Sequence, residues 1–200
     1  MKQRILWNIL KKWNGEAMNT NIYLVRHAHS TYTPDELTRP LSEKGFRDAK
    51  IISKILLNED IDYVLASPYK RAIQTVEGIA RYINTEIIIE DAFKERKIAE
   101  GSVDNFDSAI TKLWTNCNFS FDGGESNLEA QKRGICSLNK VINKYGGKNI
   151  VIGTHGNIMV LMMNYFDNTY DYDFWRNLSM PDVYKLRFKD NVLIGSERLN

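Results

Sequence analysis

Short runs rich in β-branched residues, at 22–25, 63–67, 86–90 and 149–153, are separated by longer stretches whose apolar residues recur at helical spacing. That alternation constrains the fold more than any other feature of the chain. Parallel strands need a crossover of a dozen or more residues between them, usually a helix. The pattern therefore predicts an α/β protein, a three-layer α/β/α sandwich around a mostly parallel central sheet.

The helix signals are local. The stretch SEKGFRDAKIISKILLN is expected to be a helix capped by Ser42, with Ala49, Ile52, Ile55 and Leu56 inward. A second helix is expected over 68–83, with Ser67 as N-cap and Pro68 at the first helical position. Ser126 and Glu129 form an S-x-x-E capping box ahead of a third, which should stop at Gly146-Gly147. The chain is expected to close with a hairpin around Lys189-Asp190-Asn191. The less regular segment at about 91–124 reads as an inserted lid.

With 200 residues, 43% hydrophobic and 26% charged, the chain can bury a sizeable core without metal or disulfide staples. We expect one domain over 19–200, preceded by a basic amphipathic extension at 1–18. In the extension Ile5, Ile9 and Trp13 recur beside Lys2, Arg4, Lys11 and Lys12, a pattern compatible with peripheral membrane contact. No run approaches the roughly 18 apolar residues of a spanning helix, so no transmembrane segment is expected. A net charge of +2 with scattered basic residues argues against a nucleic-acid partner. Cys117 and Cys136 lack both CxxC spacing and partner histidines, so neither a zinc site nor a redox pair is expected, and a cytoplasmic setting fits best.

Ligands of open α/β sheets bind at the carboxyl ends of strands. Three strand exits carry basic or imidazole side chains: Arg26-His27, the stretch from Ser67 to Arg71, and His155-Gly156-Asn157. Two of them lead into helix N-termini, which favour anions. A guanidinium fork matches two phosphate oxygens at once, so two arginines and two histidines converging there suggest a small phosphorylated substrate. A neutral histidine can then serve as nucleophile and a nearby carboxyl group as proton donor.

These residues carry a specific resemblance. LVRHAHS is similar to the R-H-G motif that opens the histidine phosphatase superfamily, the phosphoglycerate mutase-like proteins. LSEKG resembles the family's L-T-x-x-G, SPYKRAIQT its S-P-x-x-R-A-x-Q-T, GGES its G-E-S, and GTHGN its second histidine motif, all in family order. The resemblance implies that His27 attacks phosphorus while Arg26, Arg71 and His155 hold the phosphoryl oxygens, with no metal or other cofactor. It places the proton donor at Glu95, in a stretch similar to L-x-E, with Glu100 as the less essential acid. Ser30 keeps a family serine or threonine, Thr33 stands where the family has a phosphate-binding asparagine, and Gly156 and Asn157 line the same pocket.

The departures are informative. Ala28 replaces a glycine, which requires a backbone angle that alanine accepts. Gly156-Asn157, not aspartate, follows His155, so the resemblance points to the mutase branch and away from acid phosphatases and phytases. The lean chain then favours a phosphomonoesterase over a phosphoglycerate mutase-type phosphotransferase. His29 reads as a rim contact or a structural residue, and Glu125 as part of a turn more than of the pocket. Two other classes fit less well: a metal-dependent hydrolase using His27, His29 and His155 lacks carboxylate ligands, and a non-catalytic phospho-ligand module would have lost part of the catalytic set.

Overall fold

The structure is a computed structural model, and it describes residues 18–199. The amphipathic extension lies outside the described residues except for Met18. In chain order the elements are β1 (Asn19–Arg26), α1 (Glu43–Leu56), β2 (Tyr63–Ala66), α2 (Lys70–Tyr82), β3 (Ile87–Ile89), α3 (Phe106–Thr115), α4 (Asn127–Lys144), β4 (Asn149–Thr154), α5 (Gly156–Asn164), α6 (Tyr172–Arg176), β5 (Asp182–Lys189) and β6 (Val192–Arg198). They form a six-stranded sheet of order β3-β2-β4-β1-β5-β6. The first four strands run parallel, and β5 and β6 add an antiparallel hairpin at one edge.

The central strands are apolar on both sides because both faces of the sheet are covered there. Ile22 and Leu24 of β1, with Ile150 and Ile152 of β4, pack under α4 and α5. Tyr23 and Val25, with Val151, face the opposite way, towards α1 and α2. Side-chain alternation along each strand thus builds two cores and the three layers expected from the sequence.

Ser42 caps α1, accepting the Gly45 N–H, and Ala49, Ile52 and Leu56 are buried as expected. The Ser126–Glu129 capping box is present at α4. One helix start differs from expectation. Helix α2 begins at Lys70 with Tyr69 in the N-cap position and no side-chain cap, so Ser67 and Pro68 lie before the helix. The Ser67 hydroxyl is instead taken up by His155, at 2.8 Å. The segment 91–124 holds a short 3-10 turn and α3, and it is tied to the sheet where Thr154 Oγ1 donates to the Phe93 carbonyl at 2.8 Å.

Candidate active site

The sheet order makes β2, β4 and β1 neighbours, and the register then decides what their ends bring together. Arg26 pairs with Thr154 and Ala66 with Gly153. The ladder runs one step further, with the His27 N–H donating to Thr154 and the Ser67 N–H to Gly153. His27, Ser67 and His155 therefore leave the sheet side by side. The two imidazoles meet edge to face with centroids 5.2 Å apart, and the Tyr69 ring closes on His155 at 4.9 Å.

Partners fix the state of His27. Its Nδ1 lies 2.8 Å from the Ala28 carbonyl, which can only accept, so Nδ1 carries the proton. Nε2 is left with its lone pair and accepts from Arg71 Nε at 3.3 Å. Burial, reinforced by the charges of Arg71, Arg26 and Arg39, pushes the His27 pKa down to about 3 against the pull of the Ala28 bond. His155, fully buried, is also held well below the ordinary histidine value, first by burial and then by His27 and the arginines. Its Nε2 meets Ser67 and its Nδ1 has no partner among the described residues. The Ala28 backbone is not in the left-handed region, so alanine stands without strain, and its N–H donates to Thr75 Oγ1 at 3.0 Å.

Arg26 and Arg71 flank this pair. Arg26 Nη1 donates to the carbonyls of Leu178 and Ser179, at 2.6 and 3.0 Å, and its Nε has no partner among the described residues. Its guanidinium lies against the first turn of α5, where a Cβ on Gly156 would come within 3.1 Å of Arg26 Nε. Burial pulls the pKa of both arginines down, and Glu95 and Asp182 oppose this at Arg26 as Glu36 does at Arg71. With values normally above 12, both stay charged.

Glu95 sits across the start of α5. Its Oε2 accepts from the Asn157 N–H at 3.1 Å and its Oε1 from Ile158 and Arg96 N–H at 3.0 and 2.9 Å. Arg133 braces the loop beneath it, donating to the Ala92 and Lys94 carbonyls and pairing with Glu125. Glu125 also accepts the Lys97 N–H, so the Gly-Gly-Glu-Ser turn holds the stretch that carries Glu95. Glu100 is exposed at the surface of the 91–124 segment.

The remaining positions fall around the rim. The Ser30 backbone bridges to Leu41. The Thr33 hydroxyl donates to the Asp35 carbonyl at 3.0 Å, and its own carbonyl receives Arg39. Asn157 is buried, and its Oδ1 has no partner among the described residues. Exposed His29 contacts Ser42 Oγ through Nδ1 at 2.8 Å, joining the loop after β1 to the cap of α1. No group of three or more potential metal ligands occurs among the described residues. Phe166, Tyr170, Phe174 and Trp175 pack against the core, whereas Tyr165 is exposed.

Sequence reasoning did not find Glu36, Arg39, Arg133 or the role of the Ser67 hydroxyl. Arg133 and Ser67 act on partners distant along the chain, and the Glu36–Arg39 pair, three residues apart, lies in a polar loop where such a spacing marks nothing.

Fold and site first define a class: an α/β protein that gathers two arginines and two buried histidines at the carboxyl ends of parallel strands. Residues 22–193 match the histidine phosphatase superfamily (branch 1), and the chain belongs to that family. It is 28% identical over 148 residues to phosphoserine phosphatase 1 of Hydrogenobacter thermophilus, covering 67% of this chain and 70% of that one. The phosphatase PhoE of Bacillus subtilis is 27% identical over 142 residues, 68% of this chain and 72% of that protein. Among solved structures, YhfR of Bacillus stearothermophilus superposes with a TM-score of 0.74 at 20% identity, over 87% of this chain and 94% of that one. An Entamoeba histolytica phosphoserine phosphatase mutant bound to phosphoserine gives 0.72 at 18% identity, over 88% and 96%.

Proposed function

We propose that the protein is a metal-independent phosphomonoesterase that works through a phosphohistidine intermediate. The observation that carries this reading is the His27 tautomer: Nδ1–H is spent on the Ala28 carbonyl, leaving a neutral Nε2 beside Arg71. Arg26 and Arg71 neutralise the charge of the phosphoryl oxygens, and neutral His155 helps to hold them. His27 Nε2 attacks phosphorus, the bond from phosphorus to the ester oxygen breaks, and Glu95 delivers a proton to the departing alcohol. Water then attacks the phosphohistidine, Glu95 takes the water's proton, and phosphate leaves with His27 neutral again. Glu95 Oε2, which accepts one bond where Oε1 accepts two, is the atom with room for that proton. Ser30, Thr33, Gly156 and Asn157 line the approach of the substrate.

The names of the relatives make phosphoserine the first substrate to try. Both cysteines are free and exposed, as suits a reducing cytoplasm, and no helix among the described residues is long and apolar enough to cross a membrane. The test is rapid quenching with a ³²P-labelled aryl phosphate. Wild type should yield an acid-labile phosphoenzyme that His27→Ala lacks. Turnover persisting in His27→Ala would refute the reading.

A further inference from the structure

Arg71 is already occupied by an anion that belongs to the protein. Its Nη1 donates to the Glu36 carbonyl and its Nη2 to Glu36 Oε2, both at 2.9 Å. The other carboxylate oxygen, Oε1, takes Arg39 Nη2 at 2.7 Å. The two arginine side chains are 6% and 15% exposed whereas that of Glu36 is 51% exposed, so the acid enters from solvent onto guanidinium groups held from within.

The arginines have supports of their own. Arg39 Nε and Nη2 donate to the Thr33 carbonyl, and its guanidinium lies 4.7 Å over the Tyr32 ring. Arg71 lies 4.8 Å over Tyr69. The loop that carries Arg39 is fixed by the Asp35 carboxylate, which accepts from the Leu37 N–H and the Thr38 hydroxyl. It is fixed again where Lys70 N–H meets the Leu37 carbonyl and Leu41 N–H meets Gln74 Oε1. Removing the Glu36 carboxylate would leave this frame standing.

We infer that Arg71 and Arg39 frame a second anion subsite beside the phosphoryl position, filled by Glu36 in the empty enzyme and by a carboxylate of the substrate's leaving group in the complex. The inference rests on the phosphomonoesterase reading and narrows its substrate class to phosphate esters of hydroxy acids. The chemistry of the subsite is read from its occupant, a carboxylate with one oxygen on each arginine. An ion pair with a half-exposed acid is weak, so a substrate group can displace it. A substrate carboxylate arrives tethered to a phosphoryl group that Arg26, Arg71 and His155 already hold, and the tether gives it the advantage over a free anion.

O-phosphoserine and O-phosphoethanolamine differ by one carboxylate, and their affinities are to be measured by calorimetry in a His27→Asn background that cannot turn them over. Phosphoserine should bind more tightly, and adding Arg39→Gln should shrink its advantage by about tenfold or more, the scale of one charge-assisted contact. Glu36→Gln should tighten binding of phosphoserine by a few-fold, and by more than that of phosphoethanolamine or inorganic phosphate. If Arg39→Gln fails to fold, Arg39→Lys keeps the charge, loses the fork and should still reduce the ratio. A ratio that neither Arg39 variant changes, or a phosphoserine advantage that Glu36→Gln leaves unchanged, overturns the subsite. Wild type that releases no phosphate from p-nitrophenyl phosphate refutes the phosphomonoesterase reading separately, while the binding ratios still decide the subsite.

Discussion

Proton delivery to a departing oxygen matters in proportion to how poor the leaving group is, and this makes Glu95 testable apart from the rest of the pocket. Glu95 rests on the first turn of α5, beside Arg26, and Glu100 is exposed on the 91–124 segment. If Glu95 is the donor, Glu95→Gln should slow an alkyl phosphate on the order of a hundredfold to ten-thousandfold, the usual contribution of general acid catalysis. p-Nitrophenyl phosphate, whose leaving group departs unprotonated, should slow far less. Glu100→Gln should affect both esters little. Steady-state kcat/KM for the two esters reads this directly, and an equal loss on both in Glu95→Gln would reduce Glu95 to a brace for α5.

At the scale of elements, the site depends on how the loop after β1 is seated on α1. Ser42 N–H and Oγ both reach the His29 carbonyl, and Gly45 packs so close that a Cβ there would lie 2.0 Å from that oxygen. Replacing glycine by alanine inside a helix usually gains up to about 1 kcal/mol. Here the sign should reverse, because the atom in the way is backbone, and overpacking costs about 1–3 kcal/mol. Gly45→Ala should therefore lower the denaturation midpoint and, by displacing the 27–30 turn, lower kcat as well. A midpoint equal to or above wild type would show that the loop yields freely.

The same elements show what could be read ahead of the structure. Ser42 and the Ser126–Glu129 box were legible because a cap is a contact within three residues, and β1, β2 and β4 because β-branched runs are local. The gathering of Arg26, His27, Arg71 and His155 was legible as strand exits, since a parallel sheet places those ends together. Ser67 was misread as a cap because its partner His155 lies 88 residues away. Glu36 gave no signal at all: an exposed acid in a polar loop looks alike whether it faces water or two arginines.

Over the whole molecule, placing two neutral imidazoles in one buried pocket links stability to pH. An unfolded histidine titrates near 6.5, whereas folded His27 does so at about 3 and folded His155 well below its ordinary value. Above pH 6.5 both rings are neutral in either state, and the shifts have no effect on stability. Below it the unfolded chain takes up protons that the folded chain refuses, so stability must fall as pH falls. Between pH 6.5 and its folded value His27 contributes about 1.4 kcal/mol per pH unit, or about 2 kcal/mol at pH 5, and His155 adds to the loss in the same direction. Carboxylates whose folded pKa is lowered, such as Glu59 and Glu129, weaken the fold in the same direction, but only from about pH 4.5 downward. The interval from pH 6.5 to 5 therefore isolates the histidine pair. Urea denaturation at pH 7.5, 6 and 5 should show wild type losing at least about 2 kcal/mol across the series, an appreciable share of the 5–15 kcal/mol of an ordinary domain. His27→Asn should lose about 2 kcal/mol less than wild type over the same interval, whatever it does to stability at pH 7.5. A flat wild-type profile, or an undiminished slope in His27→Asn, would mean that His27 is protonated in the folded protein, and the neutral nucleophile would be lost with it.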